Sequence, residues 1–185
     1  MGQINVEHNA GGISGLCVIT PKLHGDKRGY FSETYNLRDM HENGIDIIFV
    51  QDNQSSSTKG VLRGLHYQIN FPQTKLVRVI RGTVYDVAVD VRRGSPTFGK
   101  YYGIILTEEN HKQFLIPKGF AHGFLVLSDI AEFCYKCDDF YHPNDEGGII
   151  YNDTEINIAW PKLDVPMNLS DKDKILPSLK EAVLP

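Results

Sequence analysis

Two histidines stand in segments whose residue types suit acid–base chemistry inside a β-barrel. His66 lies in residues 60–68, GVLRGLHYQ, and His122 lies in residues 117–124, PKGFAHGF. If the first segment is a strand, alternation predicts two faces, one with Leu62, Gly64, His66 and Gln68 and the other with Arg63, Leu65 and Tyr67. An inward-facing histidine can act as a base. For His66 taken alone, however, a core histidine bonded to a backbone carbonyl is the simpler interpretation.

The segment around His122 is a Pro-x-Gly-x-x-His run, which resembles the second signature of the cupin superfamily. Gly60 and His66 match the opening of the first cupin signature. In metal-binding cupins that signature continues with a second His and then a Glu seven residues before a Gly. Here Gln68 and Lys75 stand at those two positions. Because an ammonium has no lone pair and repels a divalent cation, we predict a barrel without metal or other cofactor.

A histidine and a lysine in such a barrel can together remove a proton next to a carbonyl. His66 would take the proton, and Lys75 would stabilise the enolate oxygen electrostatically. An acid must return the proton from the opposite face, and Tyr135 is the best candidate because its segment is rich in aromatic residues. The C-terminal run SDKD at 170–173 is interpreted more simply, as a capping box in which Ser170 and Asp173 begin a helix.

Taken together and in order, these segments resemble the RmlC family, dTDP-4-dehydrorhamnose 3,5-epimerase, from Gly25 to about Pro177. The resemblance is carried by residues 28–33, 51–53, 62–68, 75–78, 117–124, 135–136, 145–146 and 170–173. It implies a mainly β, cupin-type double-stranded β-helix or jelly-roll barrel with a few short helices. It also implies an isomerase that inverts C3 and C5 of dTDP-4-keto-6-deoxy-D-glucose to give dTDP-4-keto-L-rhamnose.

The resemblance assigns catalytic roles residue by residue. His66 matches the base, Asp173 the carboxylate that orients it, and Tyr135 the proton donor. Lys75 matches a group beside the sugar. Phe140 stands where some members have a tyrosine, which leaves the identity of the acid resting on Tyr135 alone.

The resemblance also implies a binding site for a dTDP-4-keto-6-deoxyhexose. Arg63 matches a residue around the sugar and diphosphate, and the further substrate and nucleotide contacts are His122, Lys172, Gln51, Asn53 and Glu146. Tyr141 sits where an aromatic ring stacks on the base, and Phe31 offers a second aromatic face. Arg28 and Glu33 match residues that members lend to the neighbouring subunit, which implies a homodimer. The alternative is that Arg28 and Glu33 form only a surface ion pair.

The elements that would position these residues are short strands between frequent glycines and prolines. We predict strands at 16–20, 47–51, 61–68, 75–81, 83–91, 100–106, 112–116, 123–127 and 131–136. Helices are predicted at 36–42, stopped by Gly44, and from Ser170 onward. We expect one domain over 1–185, with N-terminal strands in 1–34 contacting the partner subunit and a helical segment at 170–185. So many short strands predict a sandwich, jelly roll or small barrel.

Composition and charge disfavour nucleic-acid-binding, membrane and secreted proteins. The 185 residues carry a formal net charge of −4, which gives no bulk basic surface for a nucleic-acid polymer or an anionic membrane. The polar N-terminus is not a secretory signal, and no apolar run is long enough to cross a bilayer. Three cysteines without an export signal predict reduced thiols and a cytoplasmic protein. The pair Cys134 and Cys137 lacks a second pair to complete a zinc site.

Three alternatives remain open at this point. A close relative could invert only one centre, or could act on a related 4-keto sugar nucleotide. A metal-dependent cupin isomerase or oxygenase is disfavoured by Gln68 and Lys75. A non-catalytic sugar-binding cupin would not require a base, an acid and an enolate-stabilising cation at once.

Overall fold

The computed structural model describes residues 3–185, which form two large antiparallel sheets and a small hairpin. The strands are β1 (Ile4–His8), β2 (Cys17–Pro21), β3 (His24–Asp26), β4 (Gly29–Phe31), β5 (Gln51–Thr58), β6 (Leu62–Gln68), β7 (Lys75–Arg81), β8 (Thr83–Asp90), β9 (Tyr101–Thr107), β10 (Gln113–Ile116), β11 (Phe120–Val126), β12 (Ile130–Cys137) and β13 (Glu146–Gly148). The α-helices are α1 (Leu37–Glu42) and α2 (Asp171–Lys174), and Ala10–Gly12 form a 3₁₀ turn.

The larger sheet has the order β1-β2-β10-β7-β12-β5, and the second sheet has the order β13-β6-β11-β8-β9. Their inner faces pack on each other, since Phe133 of β12 stacks on Phe124 of β11 with ring centroids 4.2 Å apart. Phe114 and Val126 belong to the same buried cluster. This arrangement confirms the predicted cupin-type jelly roll. No helix within residues 3–185 is long and apolar enough to cross a membrane.

The outer faces of both sheets are covered by segments that do not belong to them. Val87 and Val89 of β8 pack with Ile156 and Leu179 from the C-terminal region, whereas Ala88 lies in the core between the sheets. Strand β8 therefore buries side chains on both of its faces. On the other sheet, Met40 of α1 packs on β2 and β10. Each sheet thus buries apolar side chains on both its inner and its outer face.

The tight turn between β7 and β8 depends on Gly82. Its φ of 79° lies in the left-handed region, and a Cβ there would overlap the carbonyl oxygen of Ile130. The strand predictions on both sides of this turn are confirmed, with β7 matching 75–81 and β8 covering 83–90.

One predicted strand is wrong, and several strands were not predicted. Residues 47–50 are not in a strand, because Ile47 and Phe49 pack against the cluster around α1, and β5 begins only at Gln51. Strand β5 is polar, QDNQSSST, and within residues 3–185 it pairs only with β12, at the sheet edge, so it lacks the apolar pattern of a core strand. Strand β13 was also missed, and β1, β3 and β4 were expected only as strands within 1–34, without bounds of their own.

The first predicted helix is confirmed, and the second is shorter than predicted. Helix α1 begins after Asn36, whose side chain accepts from the backbone N–H groups of Arg38 and Asp39. The predicted helical segment at 170–185 is wrong beyond Lys174, because α2 covers only Asp171–Lys174 and the chain continues in turns and extended segments.

Candidate active site

A cavity of about 770 Å³ opens between the two sheets, and a second space of about 340 Å³ adjoins it. Asn53, His66, Lys75, Tyr135 and Glu146 line both spaces. All the predicted site residues line one or both, except for Arg28, Phe31 and Glu33. The fold therefore brings together side chains that are far apart in the sequence, such as His66 and Asp173, which are separated by 107 positions.

His66 and Asp173 form a hydrogen-bonded pair at the wall of the larger cavity. His66 Nε2 lies 2.7 Å from Asp173 Oδ1, and the N–H of Gly64 lies 3.4 Å from Asp173 Oδ2. Ser170 Oγ accepts from the backbone N–H of Asp173 at 3.1 Å, so the predicted cap and the predicted carboxylate partner coexist. Burial raises the pKa of Asp173, but the hydrogen bond and charge of His66 outweigh it and hold this pKa below its usual value.

A β-bulge brings Arg63 into the same cavity as His66. His66 faces His122 across β6 and β11, whereas Arg63 faces Phe124, so Gly64 and Leu65 together oppose Gly123. The extra residue reverses the alternation, and the prediction that Arg63 faces away from His66 is wrong. Gly123 permits the bulge, since a Cβ there would lie 2.7 Å from the carbonyl oxygen of Arg63. The Arg63 guanidinium donates to Ser57 Oγ at 3.1 and 3.2 Å.

Lys75 and Tyr135 reach the cavity from the opposite sheet, on β7 and β12. Lys75 Nζ lies 6.0 Å from the centre of the Tyr135 ring, and neither the ammonium nor the phenol hydrogen-bonds to any residue within 3–185. Burial lowers the pKa of Lys75, against the opposing charges of Cys137 and Asp86. Burial also raises the pKa of Tyr135, so its phenol stays protonated at neutral pH.

A second histidine–carboxylate pair, which was not predicted, lies beside the first. His122 Nε2 is 3.0 Å from both carboxylate oxygens of Asp86, which is fully buried on β8. Burial raises the pKa of Asp86, opposed by the charges of His122 and Lys75. The available signal was an acidic residue on the inward face of an otherwise apolar strand, between Val84 and Ala88.

Comparison with known proteins identifies the family. A sequence model of dTDP-4-dehydrorhamnose 3,5-epimerase matches residues 11–181. A dTDP-4-dehydrorhamnose 3,5-epimerase of Pseudomonas aeruginosa is 54% identical over 163 residues, covering 88% of this chain and 90% of the relative.

The chain belongs to the dTDP-4-dehydrorhamnose 3,5-epimerase family. The crystal structure of an epimerase RmlC from Legionella pneumophila, in complex with dTDP-4-keto-L-rhamnose, is 51% identical with a TM-score of 0.92, covering 96% of this chain and 94% of that one. A 3′-monoepimerase from Streptomyces bikiniensis, in complex with dTDP-quinovose, is 33% identical with a TM-score of 0.84, covering 97% of this chain and 88% of that one. The predicted family and isomerase class are therefore confirmed.

The smaller space of this family member carries the residues predicted to contact the nucleotide. Gln51 Nε2 donates to Asn53 Oδ1 at 3.0 Å, and Gln51 Oε1 accepts from the backbone N–H of Tyr141 at 3.0 Å. The Tyr141 ring is half exposed at the rim. Lys172 forms an ion pair with Glu146 at the boundary of the two spaces. These residues present amide, ionic and aromatic groups around one opening.

Arg28, Phe31 and Glu33 lie outside the cavity of their own chain. Arg28 pairs with Asp26 at 2.6 Å in the exposed β3–β4 hairpin, and the Phe31 ring is exposed. Glu33 accepts from Asn36 Nδ2 at 3.4 Å. The alternative of an Arg28–Glu33 surface pair is wrong, because the partner of Arg28 is Asp26.

The two residues at the cupin ligand positions, Gln68 and Lys75, have different surroundings in this chain. Gln68 is buried, where its Nε2 donates to the carbonyl of Phe71 at 2.6 Å and its Oε1 accepts from the N–H of His142 at 2.7 Å. Lys75 points into the cavity instead. Within the described residues, no group of three or more His, Cys, Asp or Glu side chains could hold a metal ion. Metal independence stays a prediction. The three cysteines form no disulfide.

Proposed function

We propose that the protein inverts C3 and C5 of dTDP-4-keto-6-deoxy-D-glucose to give dTDP-4-keto-L-rhamnose. The observation that carries this proposal is the placement of His66 and Tyr135 on opposing sheets across one cavity. Inversion requires that a proton leave one face of a carbon and return to the other. A base and an acid on opposite walls meet that requirement without movement of the sugar.

His66 is the proposed base. Asp173, an acceptor when ionised, binds Nε2 and thereby assigns the ring hydrogen to that nitrogen. The other nitrogen, Nδ1, has no hydrogen-bond partner within residues 3–185 and remains available to the cavity. When a C–H bond next to the C4 ketone breaks, its proton goes to Nδ1 and its electron pair moves into the C4 oxygen. Asp173 then balances the charge of the imidazolium.

Lys75 is the proposed stabiliser of the resulting enolate oxygen, and Tyr135 the acid that completes inversion. A partly buried ammonium without a protein partner within residues 3–185 interacts more strongly with a developing negative charge than it would in bulk water. Tyr135 transfers its phenolic proton to the carbon from the face opposite His66. The tyrosinate and the imidazolium then return to their starting states by proton exchange with solvent, before the second centre reacts.

We also assign residues to the nucleotide part of the substrate and to a partner subunit. We place the thymine ring against Tyr141, near Gln51, Asn53 and Glu146. Arg63 is the proposed diphosphate ligand, since a guanidinium offers fixed donors to phosphate oxygens. Arg28, Phe31 and Glu33 would enter the site of a second subunit in a homodimer. The three unpaired thiols support a cytoplasmic location.

The deciding experiment mixes the protein with dTDP-4-keto-6-deoxyglucose in deuterated water and follows the sugar by proton NMR. We expect deuterium at both C3 and C5 and inversion of both centres. Exchange and inversion at one carbon would support the second candidate, a single-centre epimerase like the relative from Streptomyces bikiniensis. Absence of exchange at both carbons, with dTDP binding intact, would refute catalysis. His66→Asn serves as the control for exchange that does not depend on the base.

A further inference from the structure

The pair of His122 and Asp86 lies directly beside the proposed base. His122 is the cross-strand partner of His66 on β11, and Asp86 lies one strand further on β8. Asp173 thus hydrogen-bonds to His66 and Asp86 to His122, and both histidines line the larger cavity. His122 Nδ1 has no hydrogen-bond partner within residues 3–185.

Asp86 faces two basic groups and is otherwise surrounded by apolar structure. Its hydrogen-bond partner within the described residues is His122, and from the opposite sheet the charge of Lys75 acts on it. Its cross-strand neighbours are Phe124 on β11 and Ile104 on β9, which offer no charge. A buried ionised carboxylate is strongly unfavourable unless it is paired, so its charge is stable here only together with these two basic groups.

A purely structural role explains this arrangement poorly. Strands β8 and β11 are already joined along seven consecutive residue pairs, from Phe120 with Asp90 to Val126 with Val84. An apolar residue at position 86 would pack against Phe124 without any desolvation penalty. The groups that gain from Asp86 are instead His122 and Lys75, whose free ends both reach the cavity.

We propose that Asp86 is a positioning residue that fixes the Nε2 hydrogen of His122, aims His122 Nδ1 at the substrate, and maintains the charge of Lys75. This inference rests on the proposed function and adds a residue to it. Ionised Asp86 accepts only, so the hydrogen lies on Nε2. With Nε2 held by Asp86, Nδ1 is the ring nitrogen of His122 that can meet a ligand in the cavity that Lys75 also lines. One buried carboxylate would therefore prepare two groups of the site, the His122 ring and the Lys75 ammonium.

The test uses Asp86→Asn in the full-length protein, with kcat, KM and the pH dependence of kcat measured by the NMR assay. We expect kcat to fall at least about tenfold while KM changes less than about threefold, since the His122 ring and the Lys75 ammonium are proposed to act in the transition state. The titratable groups beside Lys75 are Cys137, Asp86 and Tyr135, whose ring centre lies 6.0 Å from Lys75 Nζ. Burial already lowers the pKa of Lys75, and removal of the Asp86 charge lowers it further. The alkaline limb of the kcat profile should therefore move to lower pH.

Asp173→Asn is the matched comparison, because it removes the other carboxylate from the other histidine. It should lower kcat and leave the alkaline limb in place, since Asp173 does not act on Lys75. If Asp86→Asn keeps wild-type kcat and profile, or loses kcat with no shift of the alkaline limb, the positioning role is overturned.

A second measurement does not depend on turnover or on the variant folding. Nitrogen-15 NMR of the wild-type protein at neutral pH reports which ring nitrogen of His122 carries hydrogen. Hydrogen on Nε2, or on both nitrogens, supports the proposal. A neutral ring with hydrogen only on Nδ1 overturns it, whether or not the protein epimerises the substrate, so this failure is distinguishable from failure of the proposed function.

Discussion

Asp173→Asn tests whether the carboxylate beside His66 acts through its charge. The Asp173 side chain is 5% exposed and its Oδ1 lies 2.7 Å from His66 Nε2, so solvent screens the interaction little. An amide oxygen could still accept from His66, and the substitution therefore removes mainly the charge assistance. Hydrogen bonds to charged groups contribute about 1.5–3 kcal/mol and neutral ones about 0.5–1.5 kcal/mol. The difference of about 1–2 kcal/mol corresponds to about a 5- to 30-fold loss of rate.

This loss is a lower bound, because the amide can also turn. If its nitrogen faces His66, the ring hydrogen moves to Nδ1, and the nitrogen that faces the cavity can no longer accept a proton. The assay is the initial rate of deuterium exchange at C3 and C5, with a thermal melt to confirm folding. Asp171→Asn is the control, since this carboxylate lies in the same helix, is exposed, and pairs with Lys174 at 2.9 Å. We expect it to retain at least half of the wild-type rate.

Two outcomes would refute this reasoning. A folded Asp173→Asn protein with more than half of the wild-type exchange rate would show that the charge on this carboxylate does not assist His66. An equal loss in Asp171→Asn would show that the start of helix α2, and not the carboxylate beside His66, sets the rate.

Three further predictions concern the acid, the metal and the dimer. Tyr135→Phe should retain deuterium exchange and form little inverted product; parallel loss of both, measured in the same NMR time course, would remove its separate role as acid. Activity should survive exhaustive chelation, because Gln68 and Lys75 stand at cupin ligand positions; stoichiometric metal by elemental analysis, with turnover lost on its removal, would contradict this. Arg28→Ala mixed with His66→Asn should regain activity toward half of normal per heterodimer if sites are shared, since one site then carries neither lesion; no recovery in verified heterodimers would exclude shared sites.

The core strands could be predicted because their alternation follows directly from burial. Strand β8 places Val87 and Val89 on one face, under the C-terminal segment, and Ala88 on the other, in the core between the sheets. The same reasoning failed for β5, whose polar residues pair along an edge, and for residues 47–50, whose apolar side chains pack beside α1 without forming a strand. Short edge strands depend on long-range pairing, which local composition does not encode.

Much of the site was predictable from motifs, but its geometry was not. The resemblance brought His66, Asp173, Lys75 and Tyr135 to one site, and the structure places them around one cavity. Arg63 was given the wrong face because a bulge changes the phase by one residue; Gly64 and Gly123 permit that bulge, but glycines alone do not specify its position. Asp86 was missed because its role depends on groups from three different strands.

The two altered cupin positions explain how such a barrel could assist enolate formation without a metal. Gln68 cannot serve as a ligand, because both ends of its amide are occupied by the backbone of the neighbouring loops. Lys75 places one positive charge in the cavity, where a metal-binding cupin would carry an acidic ligand. At an effective dielectric constant of about 20, opposite unit charges 4 Å apart attract by about 4 kcal/mol, which corresponds to about a thousandfold in rate. An attraction of this size is enough for Lys75 alone to stabilise one enolate oxygen. Because Lys75 supplies this charge, Nδ1 of His66 is free to accept the proton, whereas a metal-bound histidine would have lost its basic lone pair.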